Sequence, residues 1–163
     1  MGRAEREPEF AGYFTARAAA LRRLAYGLCG DWHLAEDLTQ TTFIRLYRHW
    51  HRLEPATIDA YARRVLVNAY LSHRRSRRRE SVVADVPEVA MLVDDPVTPD
   101  GLGAALAALP PRQRALIVLR HLEDVSVAEA AELLGITEGT VKSQVSRGLA
   151  TLRTALAVTA NGD

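Results

Sequence analysis

The chain is poor in cysteine and has none of the long apolar runs that membrane spans or secretory leaders require. Cys29 is the only cysteine among 163 residues, so no internal disulfide can form and a cysteine-based zinc site is not expected. The first nine residues carry three glutamates and two arginines instead of the apolar core of a signal peptide. With 48% hydrophobic and 25% charged residues, the chain is predicted to be a soluble cytoplasmic protein without a membrane partner.

Sequence signatures of catalysis are missing as well. No phosphate-cradling glycine loop, nucleophile elbow or HExxH pattern occurs in the chain. His49 and His51 flank Trp50, but no carboxylate and cysteine set accompanies them, so we interpret them as helix-surface histidines. We therefore predict a protein that is not an enzyme and that needs neither a metal nor another cofactor.

The strongest motif lies within residues 126–147, where two short helices are predicted around a glycine turn. Ser126 can cap the first helix, with Glu129 reaching back to complete a capping box. Gly135 suits the left-handed conformation at a helix end, and Thr137 can cap the second helix. This helix-turn-helix pattern predicts a second helix that enters the DNA major groove. An amphipathic helical hairpin with a solvated polar face is the alternative.

Two opposite faces are predicted for that second helix. Apolar residues recur at helical spacing and are expected in the core, namely Val141, Val145, Leu149 and Leu152. Polar residues that can bond to phosphates or base edges lie on the outer side, namely Thr140, Lys142, Ser143, Ser146 and Arg147. Glu138 is favourably placed at the positive end of this helix.

Charge is unevenly distributed, although the net charge is only +1. Residues 61–79 hold seven arginines and no acid: Arg63, Arg64, Arg74, Arg75, Arg77, Arg78 and Arg79. Residues 80–100 hold six acids, three prolines and no Lys or Arg. We interpret Glu80–Asp100 as an acidic, mostly irregular linker between two helical domains. The arginines predict a surface for a polyanion, with an ordinary solvated charge run as the alternative.

Helical periodicity in the rest of the chain predicts an all-α fold, with no β-strand pattern and no repeat. Helices are expected over 10–29, 34–50, 58–77, 102–109 and 112–122, with a break and new cap at Gly30 and Asp31, a loop at Leu53–Thr57 and Pro111 in the first turn of the last helix. The expected core residues of the first three helices are Phe14, Leu21, Leu24, Leu28, Leu34, Leu38, Phe43, Leu46, Tyr47, Trp50, Ile58, Tyr61, Ala62, Val65, Leu66 and Ala69.

Three segments carry a family resemblance: Ala35–Arg48, Tyr61–Asn68, and Leu109–Ala115 running into the helix-turn-helix. In this order, with an acidic linker between them, they resemble the extracytoplasmic-function (ECF) group of bacterial RNA polymerase sigma factors, and within it the SigE-like members. The last segment alone is less specific, because response-regulator output domains share it. The resemblance implies two small helical domains: sigma region 2 over 6–79 and sigma region 4 over 101–158, joined by the linker 80–100.

The resemblance also implies roles for particular residues. Docking on the β′ clamp helices of core RNA polymerase is implied for Asp37, Leu38, Gln40 and Thr41, although the family often has a glutamate in place of Thr41. The β flap of the polymerase is a second implied contact, and an anti-sigma factor a further possible partner. Contact with the −10 promoter element is implied for Asn68, Arg63, Arg64, Arg74 and Arg75, with a flipped-out base held by the loop around Pro55. Contact with the −35 element is implied for Glu138, Gly139, Thr140, Lys142, Ser143, Ser146 and Arg147.

Such a protein would open promoter DNA without covalent chemistry, by binding extruded bases and single-strand phosphates. The 21 residues of the linker reach at most ~70 Å, and a turn and a half of duplex spans ~50–55 Å. The two domains can therefore occupy one promoter together. From the residues alone, Asp37, Gln40 and Asn68 also fit an ordinary hydrated helix surface. A stand-alone helix-turn-helix regulator, with residues 1–79 sensing a ligand or dimerising, and a protein-binding adaptor are the alternative functions.

Overall fold

The computed structural model describes residues 3–84 and 101–161, and within these ranges the chain is helical and has no β-strand. The α-helices in chain order are α1 (Arg3–Cys29), α2 (Trp32–His49), α3 (Ile58–Ala84), α4 (Leu102–Ala107), α5 (Pro111–Ile117), α6 (Val127–Leu134) and α7 (Glu138–Ala160). Two 3₁₀ turns, Trp50–Arg52 and Pro55–Thr57, join α2 to α3, and a π-helical turn, Val118–Leu122, continues α5. The predicted all-α fold is confirmed. No helix in these ranges is both long and apolar enough to cross a membrane.

The first three helices pack around one apolar core. Gly30 ends α1 with a φ of 71°, and the Asp31 carboxylate then caps α2 by accepting hydrogen bonds from the backbone N–H groups of His33 at 2.8 Å and Leu34 at 3.4 Å. The predicted break and new cap at this point are confirmed. Ring contacts close the far end of this half, where the Phe10 ring meets the Trp50 ring edge-on at a centroid distance of 5.3 Å.

Helix boundaries differ from the prediction at both ends of this half. Helix α1 begins at Arg3, before the predicted start at Phe10, and continues through Pro8. Helix α3 runs on to Ala84, so residues 80–84 of the predicted irregular linker are helical. The remaining linker residues, 85–100, lie outside the described ranges.

Two aromatic residues predicted for the core are about half exposed. Phe14 is 47% exposed and Tyr47 is 44% exposed. Both rings lie at the rim of the core, where Phe14 meets Phe43 at a centroid distance of 4.7 Å and Tyr47 meets Phe10 at 5.1 Å. Each ring therefore buries one side and leaves the other in solvent, which spacing along a helix cannot reveal.

The second half is built on α5 and α7. Pro111 opens α5 as predicted, and the predicted helix over 112–122 changes to a π-helical turn after Ile117. Gly148 is buried where α7 crosses α5, and the Gln113 side-chain amide donates a hydrogen bond to the Gln144 side-chain oxygen at 2.8 Å. These contacts fix the direction in which α7 leaves the domain.

The two halves pack against each other and share one core. Leu24 and Leu28 of α1 belong to the same buried cluster as Leu116 and Leu119 from the second half. Arg114 enters this contact with its side chain buried, and its Nε donates a hydrogen bond to the backbone carbonyl of Gly27 at 3.0 Å. Burial lowers the pKa of the Arg114 guanidinium. The group is nevertheless well placed, because the carbonyl end of a helix favours a cation.

Candidate nucleic-acid and polymerase interfaces

The helix-turn-helix has the predicted caps, with one difference. The Ser126 hydroxyl accepts a hydrogen bond from the backbone N–H of Glu129 at 3.1 Å, and Thr137 does the same for Thr140 at 3.1 Å. Gly135 adopts a φ of 63° in the turn. The Glu129 carboxylate does not complete the predicted capping box, because it pairs with the guanidinium of Arg63. Neighbouring residues thus define the turn, whereas the Glu129 side chain forms an ion pair with Arg63, which is distant in the sequence.

The first part of α7 presents the predicted polar face to solvent. All seven residues predicted to contact the −35 element are exposed: Glu138, Gly139, Thr140, Lys142, Ser143, Ser146 and Arg147. On the opposite side, Val141 and Leu152 are buried and Val145 and Leu149 are half-buried. The predicted division of this helix is confirmed. The exposed face offers two cations and several hydroxyl groups to a groove.

Three of the four predicted docking residues on α2 reach the surface. Asp37 and Gln40 are exposed, and Thr41 is half-buried. Leu38 is only 5% exposed and belongs to the core, so its side chain lies beneath this face of α2.

Sequence reasoning missed an apolar neighbour of this face. Ile44 is 51% exposed and lies seven residues after Asp37 and four after Gln40, which is the spacing of one helix face. Ile44 could have been predicted from the sequence, because Asp37, Gln40 and Ile44 follow one another at intervals of three and four residues. An exposed Ile beside polar side chains gives this face of α2 an apolar contact point for a partner.

The predicted −10 residues on α3 fall into two groups. Arg63 and Arg64 contact α6: Arg63 pairs with the Glu129 carboxylate, and Arg64 donates a hydrogen bond to the backbone carbonyl of Glu132 at 3.3 Å. Asn68 and Arg75 are exposed and Arg74 is half-buried further along the helix. The first group lies against the helix-turn-helix, and the second group lies further along α3.

A cleft of about 730 Å³ separates this part of α3 from the second half. Asn68, Arg74 and Arg75 line one wall, while Thr140 and Gln144 of α7 line the other. His73 is placed among these arginines, and burial, then Arg77 and Arg74, lower its pKa. Arg74, Arg75 and Arg78 supply the positive charge of this wall.

The loop predicted to hold a flipped-out base has hydrogen bonds within it and a bonded carboxylate just after it. Residues 54–57 are exposed, and the Thr57 hydroxyl and backbone N–H both donate hydrogen bonds to the Glu54 carbonyl, at 3.0 and 2.9 Å. Just beyond, the Asp59 carboxylate accepts a hydrogen bond from the Tyr13 hydroxyl at 2.9 Å and pairs with Arg17 at 2.5 Å. Burial and this carboxylate raise the pKa of Tyr13, which keeps it a hydrogen-bond donor.

Comparison with known protein families places both halves of the chain. Residues 13–80 match the model of sigma-70 region 2, and residues 100–152 match that of sigma-70, region 4. The RNA polymerase sigma-E factor of Streptomyces coelicolor is 40% identical over 151 residues, which cover 89% of this chain and 84% of that protein. The ECF RNA polymerase sigma factor SigE of Mycolicibacterium smegmatis is 39% identical over 145 residues, and this chain spans only 56% of its length.

Solved structures agree with this placement. The sigma factor RpoE of Bartonella quintana, crystallised with the anti-sigma factor NepR, superimposes with a TM-score of 0.77 at 29% identity, covering 92% of this chain and 98% of that one. CnrH, in complex with the cytosolic domain of CnrY, shares the fold with a TM-score of 0.68 at 21% identity, covering 93% of this chain and 90% of that one.

The two matched regions and the helix-turn-helix define a sigma factor, a class of non-enzymatic transcription initiation factor. With relatives at about 40% identity over most of its length, this chain belongs to the ECF group of RNA polymerase sigma factors. The prediction from the sequence is confirmed over the alternative of a stand-alone regulator.

Proposed function

We propose that this chain binds core RNA polymerase in the cytoplasm, recognises the −35 and −10 elements of its promoters and promotes their melting. The observation that carries the proposal is the presence of both sigma-70 regions on one chain, with polar faces on α2 and α7 exposed as predicted. Helix α7 would read the −35 duplex through its outer face. Asn68 and the arginines of α3 would bind the −10 element as its strands separate.

Docking on the β′ clamp helices would use the exposed face of α2. Asp37 and Gln40 supply hydrogen-bonding groups there, and Ile44 adds an apolar contact. We add Ile44 to the proposed docking residues and assign Leu38 to the core beneath them. A second contact, with the β flap, would hold the region 4 domain over the upstream element.

Run-off transcription tests the proposal. Promoters are located by mapping transcript starts after the chain is overexpressed, and one such promoter is then transcribed with core polymerase alone, the chain alone, or both. Specific transcripts should require both components. Duplex binding is measured in parallel, and it should depend on core polymerase. Specific duplex binding by the chain alone, with no transcript when core is added, would favour a stand-alone regulator.

An anti-sigma factor is a further proposed partner. The support is the likeness to RpoE of Bartonella quintana, whose structure contains the anti-sigma factor NepR. A protein with this role should suppress run-off transcription by the chain and should be displaced by excess core polymerase. Suppression that excess core leaves unchanged would point to a different mode of inhibition.

A further inference from the structure

Tyr13 of α1 contacts both ends of the segment that joins α2 to α3, residues 50–57. At the first end, its ring lies 5.5 Å from the ring of Trp50, measured between centroids. At the second end, its hydroxyl donates a hydrogen bond at 2.9 Å to the carboxylate of Asp59, two residues after the segment. One side chain of α1 therefore ties the end of α2 to the start of α3.

The middle of the segment is open to solvent. Residues 54–57 are exposed, whereas Leu53 is half-buried against the core and Ile58 is buried. The bonds between Thr57 and Glu54 close the second turn of the segment, but they do not fix that turn relative to the rest of the domain. An exposed turn on a rigid support is the arrangement in which loops present binding groups. Here α1 provides part of the support.

Two side chains of α1 reach Asp59, and Tyr13 is the stronger anchor. The Arg17–Asp59 pair is half exposed, with 49% and 41% of the two side chains accessible, and ion pairs as exposed as this are weak. The Tyr13 hydrogen bond is partly buried. The Tyr13 ring is also held by Phe43 at a centroid distance of 6.3 Å, so its hydroxyl is already in place and little side-chain freedom remains to be lost.

A fixed loop and a mobile loop differ in how they treat a bound base. A loop that already has its binding shape loses little entropy when the correct base enters, and it adapts poorly to a wrong one. A loop released at one end adapts to several bases. Anchoring should therefore affect the preference for one base over another at the position that the loop contacts.

We propose that Tyr13 is a positioning residue for promoter recognition: it holds residues 50–57 at both ends and thereby sets the base preference of the exposed turn at 54–57. The inference rests on the proposed function and on the predicted contact of this turn with a flipped-out base. It gives α1 a part in reading the −10 element although α1 itself touches no base.

Base preference is measured on the complex of the chain with core polymerase. The probe is a single-stranded oligonucleotide carrying a mapped −10 region, in which each base is replaced in turn. Thr57→Val identifies the position that the turn contacts, because it removes the hydroxyl bond to the Glu54 carbonyl within the turn. Tyr13→Phe keeps the ring and removes the hydroxyl. It should lower the preference at that same position about three- to tenfold and leave the other positions unchanged.

Tyr26→Phe is the matched control. It removes a hydroxyl from the same helix at its other end, where the Tyr26 ring stacks on Trp32, and it should leave every preference unchanged. Affinity for core polymerase should be the same for Tyr13→Phe and the unaltered chain.

Substitutions of Asp59 test whether Tyr13 acts through this carboxylate. Asp59→Asn keeps an oxygen that accepts the Tyr13 hydroxyl bond, so it should retain the preference. Asp59→Ala removes the acceptor and should lose the preference. Adding Tyr13→Phe to Asp59→Ala should then cause no further loss, because the two residues act through one hydrogen bond.

Several results would overturn the positioning role. They are an unchanged preference in Tyr13→Phe, a similar loss at every position or in Tyr26→Phe, and an equal loss in Asp59→Asn and Asp59→Ala. If Thr57→Val alters no position, the turn does not read a base and the role fails with it, even where transcription succeeds. Failure of the unaltered chain to direct specific transcription with core polymerase would instead contradict the proposed function.

Discussion

Gly148 controls how closely helix α7 lies on α5, and replacing it with alanine should destabilise the protein. A Cβ atom at this position would lie 2.4 Å from the terminal methyl carbon of Ile117. Ordinary contact between carbon atoms needs about 3.5–4 Å, so the methyl group would have to move by more than an ångström. Ile117 is buried in a cluster with Leu106, Leu109 and Leu152, so it has little space to move into.

Two opposing effects set the size of the change. Alanine is favoured over glycine within a helix by about 1 kcal/mol. Forcing an extra methyl group into a packed core costs about 1–3 kcal/mol. We expect Gly148→Ala to lower the free energy of unfolding by about 1 kcal/mol, which corresponds to a fall in Tm of about 2–4 °C for a chain of this size. Thermal melting followed by circular dichroism measures it.

Gly12 provides the matched control, because a Cβ atom there would meet nothing within 4 Å on the exposed side of α1. Gly12→Ala should therefore raise Tm. The cause of the Gly148 effect is tested by adding Ile117→Val, which removes the clashing methyl group. The alanine should then cost about 1 kcal/mol less than it does beside isoleucine. A Gly148→Ala protein at least as stable as the unaltered chain would refute the reasoning.

Three further predictions concern the proposed surfaces. Asp37→Ala with Gln40→Ala should weaken binding to core polymerase in a pull-down while leaving helicity intact, and unchanged affinity would contradict the docking assignment. Lys142→Ala should weaken binding to all duplex sequences and flatten the salt dependence by about one unit, whereas Arg147→Ala should act in this way or change sequence preference by ~1–3 kcal/mol. Wild-type preference and salt dependence in both would remove α7 from the −35 contact. Asn68→Ala should impair opening of a fully paired promoter more than transcription from one with a pre-melted bubble, and an equal defect on both would indicate base discrimination alone.

Local sequence signals predicted the caps and the glycine turn, although they did not predict where α1 begins or where α3 ends. Ser126, Thr137 and Asp31 cap the helices that follow them, and Gly135 turns the chain between α6 and α7, because each effect involves residues at most three positions apart. Periodicity likewise separated the buried and exposed sides of α7, because one side packs on α5 and the other faces solvent.

Contacts between the halves could not be predicted in this way. Glu129 was expected to cap its own helix, but its carboxylate pairs with an arginine 66 positions earlier. Val67 and Tyr70 lie outside the buried stripe expected for α3, and they belong to the buried cluster that also contains residues of the second half. Whether Glu129 bonds to its own helix end or to a distant arginine depends on how the two halves pack. Residue spacing and capping rules describe only neighbouring residues, so they cannot predict that packing.

Both tryptophans lie in the first half of the molecule, Trp32 stacked on Tyr26 at a centroid distance of 4.0 Å and Trp50 in the ring cluster around Phe10. Indole fluorescence therefore reports directly on region 2, while region 4 emits no signal of its own. Helical circular dichroism reports on both regions together. Because the two regions share a core, the two signals should follow one unfolding transition, and they can separate only when the regions unfold independently. The natural placement of the indoles thus makes the chain a label-free indicator of whether its two sigma regions unfold as one unit.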